Sequence, residues 1–143
     1  MTDETINAPA PSLFAYGTLM FAEVFQAVTR LDCSCCPATL ADYTRKQVLG
    51  HEFPAIHAQT GAEVSGYLFG PLDYAAWRNL DDFEGDFYTR ITVSVRTGNS
   101  TRAAADTYVT RAQYRGLLAT NDWSPSYFRD HHLPRYLAAY NHP

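Results

Sequence analysis

One carboxylate stands where an apolar residue is expected. The stretch Asp73-Tyr74-Ala75-Ala76-Trp77-Arg78-Asn79-Leu80-Asp81-Asp82-Phe83-Glu84-Gly85 has the marks of a short helix. Asp73 is suited to accept hydrogen bonds from the first-turn N–H groups, and Gly85 to end the helix in the left-handed conformation. Trp77, Leu80 and Glu84 are spaced i, i+3 and i+7 and therefore share a face, with Ala76 and Phe83 bordering it. At about 100° per residue, Glu84 points between Trp77 and Leu80, inside the apolar stripe. Two readings follow. Glu84 either frays toward water or pairs with an arginine such as Arg90, or it is a general acid/base whose pKa is raised by burial.

A second stretch has the shape of an anion site. Ser12-Leu13-Phe14-Ala15-Tyr16 reads as a core strand, Gly17 breaks it, and Leu19 to Thr29 places Phe21, Val24, Phe25 and Val28 on one helical face, with Thr18 as the expected cap. A strand, tight turn and helix in that order present backbone N–H groups and a positive dipole end to a bound carboxylate or oxyanion. Strand–Gly–helix turns also occur where nothing binds, and the full glycine patterns of nucleotide sites are missing.

The elements that would position these residues read as mixed α and β. Ala38 to Leu49 alternates loosely. Phe53 to His57 reads as an edge or bulged strand because of Pro54, Thr60-Gly61 as a turn, and Glu63 to Phe69 as a strand in which Gly66 marks a close approach of backbone or ligand. Tyr88 to Thr97 alternates cleanly, and Thr97-Gly98-Asn99-Ser100 turns it into an antiparallel partner over Thr101 to Thr110. Ser124 and Pro125 are suited to start a helix carrying Tyr127, Phe128, His131 and His132, which Pro134 interrupts or restarts. Adjacent histidines point about 100° apart, so they do not bind one ion together, and they are expected to be ordinary surface or helix-end residues; no metal site is expected.

Composition excludes several classes. The 143 residues are 46% hydrophobic with a formal charge of -4 and one lysine, Lys46, which fits one folded domain over 12–143 after a loose leader over 1–11 and argues against a nucleic-acid surface. No stretch approaches the roughly 20 apolar residues of a membrane span, and no signal-peptide pattern opens the chain, so a cytoplasmic protein is expected. Cys33, Cys35 and Cys36 are odd in number and lack a second ligand pair, which favours reduced thiols over a metal clip. Neither a Gly-x-Ser-x-Gly elbow nor a P-loop is found.

Phe14-Ala15-Tyr16-Gly17-Thr18-Leu19-Met20, Phe53-Pro54-Ala55-Ile56, Val64-Ser65-Gly66-Tyr67-Leu68 and Leu80-Asp81-Asp82-Phe83-Glu84-Gly85-Asp86-Phe87-Tyr88-Thr89-Arg90 together resemble the γ-glutamylcyclotransferase-like superfamily, in its AIG2-like branch, from about Leu13 to the tail helix around Trp123, Phe128, Leu133 and Tyr136. The resemblance implies an α+β fold in which a small bent sheet closes into a barrel-like body with outer helices and a pocket at one end. It implies that Tyr16, Gly17, Thr18 and Leu19 hold a γ-glutamyl group and that Glu84 is the acid/base. It implies a cofactor-independent enzyme of the acyltransferase or lyase type that cyclises a small γ-glutamyl amide to 5-oxoproline. Tyr88 resembles a family tyrosine near the substrate, and reads equally as a packed strand aromatic. A non-catalytic module that senses a small acidic amide, and a structural interaction protein in which Glu84 is salt-bridged, are the rivals. The leaving amine and the oligomeric state are left open.

Overall fold

In β1 (Ser12–Ala15) alternate residues face two different cores. Phe14, with Tyr16 beyond the strand end, packs with Ala38, Leu40, Ile56, Val64, Val95 and Ala105, a cluster drawn from all five strands. Leu13 and Ala15 pack with Val24, Phe25, Trp77 and Leu80 of the helices. Period-2 alternation thus divides one strand between an interior core and an outer layer. The computed structural model describes residues 11–140 apart from Cys33 and Asn99; residues 1–10 of the expected leader and the Cys33 thiol lie outside the described residues.

The remaining strands are β2 (Cys35–Gln47), β3 (Pro54–Phe69), β4 (Tyr88–Thr97) and β5 (Arg102–Thr110), and the order β1-β3-β2-β4-β5 closes into a barrel. Most neighbours are antiparallel. The seam is the parallel pair β1–β5, with Ser12 opposite Ala105 and Leu13 opposite Asp106. On the far side, among the described residues, β4 pairs with β2 through Ala38–Thr97 and Thr39–Arg96. The helices are α1 (Ala22–Thr29), α2 (Tyr74–Glu84), α3 (Pro125–His131) and α4 (Leu133–Tyr140). As expected from the sequence, Asp73 Oδ1 accepts from the Ala76 N–H at 2.8 Å, Ser124 accepts from the Tyr127 N–H and Pro125 opens α3, and β4 and β5 form a hairpin. His131 is exposed and His132 half-buried; His132 Nδ1 lies 3.8 Å from Glu52 Oε2. Cys35 and Cys36 are free, exposed thiols at the start of β2.

Three local expectations are corrected. Thr60-Gly61 is not a turn: β3 runs through it, and between the pairs Ala41–Glu63 and Tyr43–Ala58 a single residue of β2 faces a four-residue bulge of β3. Asp42 (φ 66°) and Gly61 (φ 88°) take the positive φ the bulge requires, and the Gly61 N–H donates to Asp42 Oδ1 at 2.9 Å. The chain instead reverses over 48–53. Nor does Thr18 cap α1. A 3-10 turn occupies Thr18–Met20, and Phe21, extended at φ -80° and ψ 122°, precedes the helix without a side-chain cap. Gly85 ends α2 with φ 69° but ψ -159°, an extended region open essentially to glycine, rather than in the left-handed helical well.

Gly66 marks a backbone contact, the first of the two possibilities its position allowed. A Cβ there would be driven into the Ala15 carbonyl and onto the Phe14 ring, at the end of the antiparallel pairing of β1 with β3. Gly66→Ala is expected to destabilise the fold by about 1–3 kcal/mol or more, as overpacking against immovable backbone does. A denaturant midpoint equal to wild type would contradict the close approach.

Candidate active site

The final turn of α2 delivers Glu84 to a cavity of about 120 Å³ whose lining includes Glu84, the whole turn Tyr16-Gly17-Thr18-Leu19, and Tyr88. That volume admits several waters or a small-molecule head. The structure therefore brings all six candidate residues to one pocket, although they come from the end of β1, the end of α2 and the start of β4.

Trp77 and Leu80, on the same helical face as Glu84, are 4% and 0% exposed and anchor α2 in the outer core, so the periodicity that points them inward points Glu84 inward too. Glu84 itself is half-buried. Among the described residues its carboxylate has neither a hydrogen-bond donor nor an ionic partner. Arg90 does not reach it: its Nε lies 3.1 Å from Asp81 Oδ1 and its Nη1 3.0 Å from Asp106 Oδ2, while the guanidinium carbon sits 4.4 Å from the centroid of Trp77. The ion-pair reading of Glu84 is thus replaced by a network one turn back on the helix, in which Asp81 also accepts from Tyr108 Oη at 2.7 Å. Burial pushes the Glu84 carboxyl up to about 8, and the nearby Asp81 charge adds to the effect. Its place at the C-terminal, negative end of α2 acts in the same direction.

Opposite stands the turn. The Gly17 carbonyl accepts from the Met20 N–H at 2.9 Å and the Thr18 carbonyl from the Phe21 N–H at 3.2 Å. The N–H groups of Gly17, Thr18 and Leu19 have no backbone acceptor among the described residues, as the first donors of a helical turn do not. Gly17 is required here for space. Its φ is -125°, which any residue can adopt, so conformation does not demand a glycine; a Cβ, however, would lie 2.9 Å from Pro54 Cγ and 3.0 Å from Pro54 Cδ. Gly17→Val should consequently displace the turn from Pro54, lowering stability by about 1–3 kcal/mol. A denaturant midpoint equal to wild type in the Gly17→Val protein would contradict that expectation.

Pro54 is held in its turn by Tyr88, whose Oη donates to the Pro54 carbonyl at 2.7 Å. Tyr88 is thus both packed and cavity-lining, so its two readings coincide. Tyr16 Oη donates to the Tyr108 carbonyl at 2.6 Å. Burial raises the phenol pKa values of Tyr16, Tyr88 and Tyr108; the Glu84 charge acts in the same sense on all three, and the hydrogen bond to Asp81 adds to the rise at Tyr108. All three rings are therefore protonated at neutral pH. Reading the sequence alone misses Tyr108, Phe87 and Tyr136, which also line the cavity; apolar patterning marks them as core, and no local signal separates a cavity wall from a packed wall.

The arrangement resembles known proteins in both sequence and shape. The gamma-glutamyl cyclotransferase, AIG2-like family matches residues 13–125. Protein AIG2 C of Arabidopsis thaliana is 30% identical over 99 residues, which cover 68% of this chain and 60% of that protein; AIG2-like protein D of the same plant is 35% identical over 101 residues, 68% of this chain and 66% of its own length. The chain therefore spans under two thirds of the length of these relatives. A solution structure from Arabidopsis thaliana superposes with a TM-score of 0.70 at 24% identity, covering 91% of this chain and 79% of its own. A structure described as gamma-glutamyl cyclotransferase superposes with a TM-score of 0.67 at 19% identity, covering 92% and 86%. At these identities the structures attest to the fold, a closed five-stranded barrel with outer helices, whereas the match over 13–125 attests to descent: the chain belongs to the gamma-glutamyl cyclotransferase, AIG2-like family.

Proposed function

We propose that this protein cyclises a γ-glutamyl amide to 5-oxoproline and releases an amine, with Glu84 as general acid/base and the turn Tyr16–Leu19 as the cradle for the glutamyl head. The observation that carries the reading is a half-buried carboxylate sharing one small cavity with three backbone N–H groups, none of them with a hydrogen-bond partner among the described residues.

The α-amine of the substrate attacks its own γ-carbonyl, a five-membered ring closes as the new C–N bond forms, and the original amide C–N bond breaks. Neither water nor a cofactor enters the balance. Nucleophile and electrophile share a chain, so the cavity chiefly has to hold the folded conformer; well-oriented intramolecular reactions reach effective molarities of about 10⁵ M or more. The attacking amine arrives as an ammonium. With its carboxyl raised to about 8, Glu84 is mostly protonated in the free protein at neutral pH, and an incoming cation pulls that value back down. It then accepts the ammonium proton and later delivers one to the departing nitrogen, two tasks served by a pKa near the working pH. Fixed N–H donors of the turn suit the developing oxyanion or the substrate's α-carboxylate.

The partner is thus a small molecule, and the cytoplasmic setting expected from the sequence belongs to the same reading. No helix among the described residues is long and apolar enough to cross a membrane. The test is a panel of γ-glutamyl compounds scored by 5-oxoproline release with Glu84→Gln as control. Binding without release across the whole panel would leave a sensing module in place of an enzyme.

A further inference from the structure

Against the turn, outside the lining of the cavity, lies a guanidinium that the sequence does not single out. Arg45, near the C-terminal end of β2, donates from Nη1 to the Tyr16 carbonyl at 2.9 Å. Its Nε and Nη2 fork onto Asp122, at 2.8 Å to Oδ1 and 3.1 Å to Oδ2. Its carbon lies 5.4 Å from the ring centroid of Trp123. Trp123 is buried, and is fixed by its own bonds from N–H to Asp122 Oδ1 at 2.7 Å and from Nε1 to the Glu52 carbonyl at 2.8 Å. The Arg45 side chain is only 13% exposed, against 59% for Asp122. An ion pair with so exposed a carboxylate adds little to stability, but a planar fork stacked on an aromatic ring fixes where the third donor points.

That donor engages the peptide that opens the cradle. The Tyr16–Gly17 bond is trans, since the cis bond among the described residues is Gly70–Pro71, and a trans peptide carries its N–H on the side opposite its C=O. Arg45 lines a separate groove beside Met20 and Phe21, whereas Gly17 lines the cavity with Glu84. A carbonyl turned toward Arg45 thus turns the Gly17 N–H away from it. A cation on the carbonyl also polarises the peptide and strengthens its N–H as a donor.

We propose that Arg45 is a positioning residue: held by Asp122 and Trp123, it locks and polarises the Tyr16–Gly17 peptide so that the Gly17 N–H is preset as a donor into the cavity. This rests on the cyclisation reading for its catalytic consequence, though not for its structural one.

Two readouts on the full chain test it. In the ligand-free protein, Arg45→Gln should move the Gly17 amide ¹⁵N resonance upfield, because the peptide loses the cation on its carbonyl. In catalysis Arg45→Gln should lower kcat/KM by about 10- to 100-fold, less than or near what outright loss of an oxyanion donor does. Arg45→Lys, which keeps the charge without the fork, should fall between that variant and wild type in both. If Arg45→Gln does not fold, Asp122→Asn carries the same test, with shifts of the same sign and smaller size. A Gly17 resonance unmoved in a folded variant overturns the assignment even if the rate falls, since a merely structural tie would lower stability and rate alike while leaving that peptide unpolarised. A wild-type protein that releases no 5-oxoproline from any γ-glutamyl compound defeats the cyclisation reading instead, and the Gly17 resonance still decides the role of Arg45.

Discussion

Glu84→Gln is expected to lower the rate of 5-oxoproline release by roughly 10² to 10⁴ while leaving the fold and much of the substrate affinity in place. The amide nearly matches the carboxylate in size and removes only its ability to exchange a proton. Nothing else should be lost with it, because the carboxylate has no hydrogen-bond or ionic partner among the described residues, and α2 keeps its Asp73 cap and the buried anchors Trp77 and Leu80. The loss should therefore appear in kcat more than in KM, as for an interaction used in the transition state. Part of the acceleration survives in this picture, since holding the glutamyl chain folded does not depend on Glu84. Wild-type turnover in the Gln protein would remove Glu84 from the mechanism.

Most of this site was legible wherever the signal is local. Helical period places Glu84 among Trp77 and Leu80, capping chemistry places Asp73, and a glycine inside a strand marks the close backbone approach at Gly66. The errors share one cause. Thr60-Gly61 reads as a turn because a bulge and a turn demand the same positive φ, and only the partner strand, with Asp42 opposite, distinguishes them. Thr18 reads as a cap because its residue type suits one, yet Phe21 stays extended and the helix begins at Ala22. At Gly17 the constraint is the Pro54 ring, more than thirty positions along the chain. Tyr108 and Arg45 come from strand positions whose local pattern is ordinary. Closure through the parallel β1–β5 seam joins residues about ninety positions apart, so barrel closure entered through the family resemblance rather than through periodicity. Long-range geometry turned ordinary residues into walls and clamps.

A gain in stability should accompany the loss of activity. Glu84 has an ordinary value of 4.5 and is raised to about 8 in the folded chain, so between those two values the native state holds more protons than the unfolded one. Stability must then fall as pH rises through that window; the contribution of this group is complete below 4.5 and is lost by the time pH passes about 8. A glutamine cannot titrate and escapes the loss. Near pH 5 the two proteins should melt almost together, because Glu84 is there a neutral acid of about the same shape as the amide. Near pH 8 the variant should lead by roughly 2 to 4 kcal/mol, the upper figure being the linkage ceiling and the lower allowing for water in the cavity. For a chain of this size that is roughly 5 to 15 °C in melting temperature. A melting-temperature difference that stays flat from pH 5 to pH 8 would mean that the acid is not held against its ionisation, and would remove the physical reason for placing it there. A difference that widens with pH, in a protein that has lost turnover, would identify a residue kept for chemistry at the expense of stability.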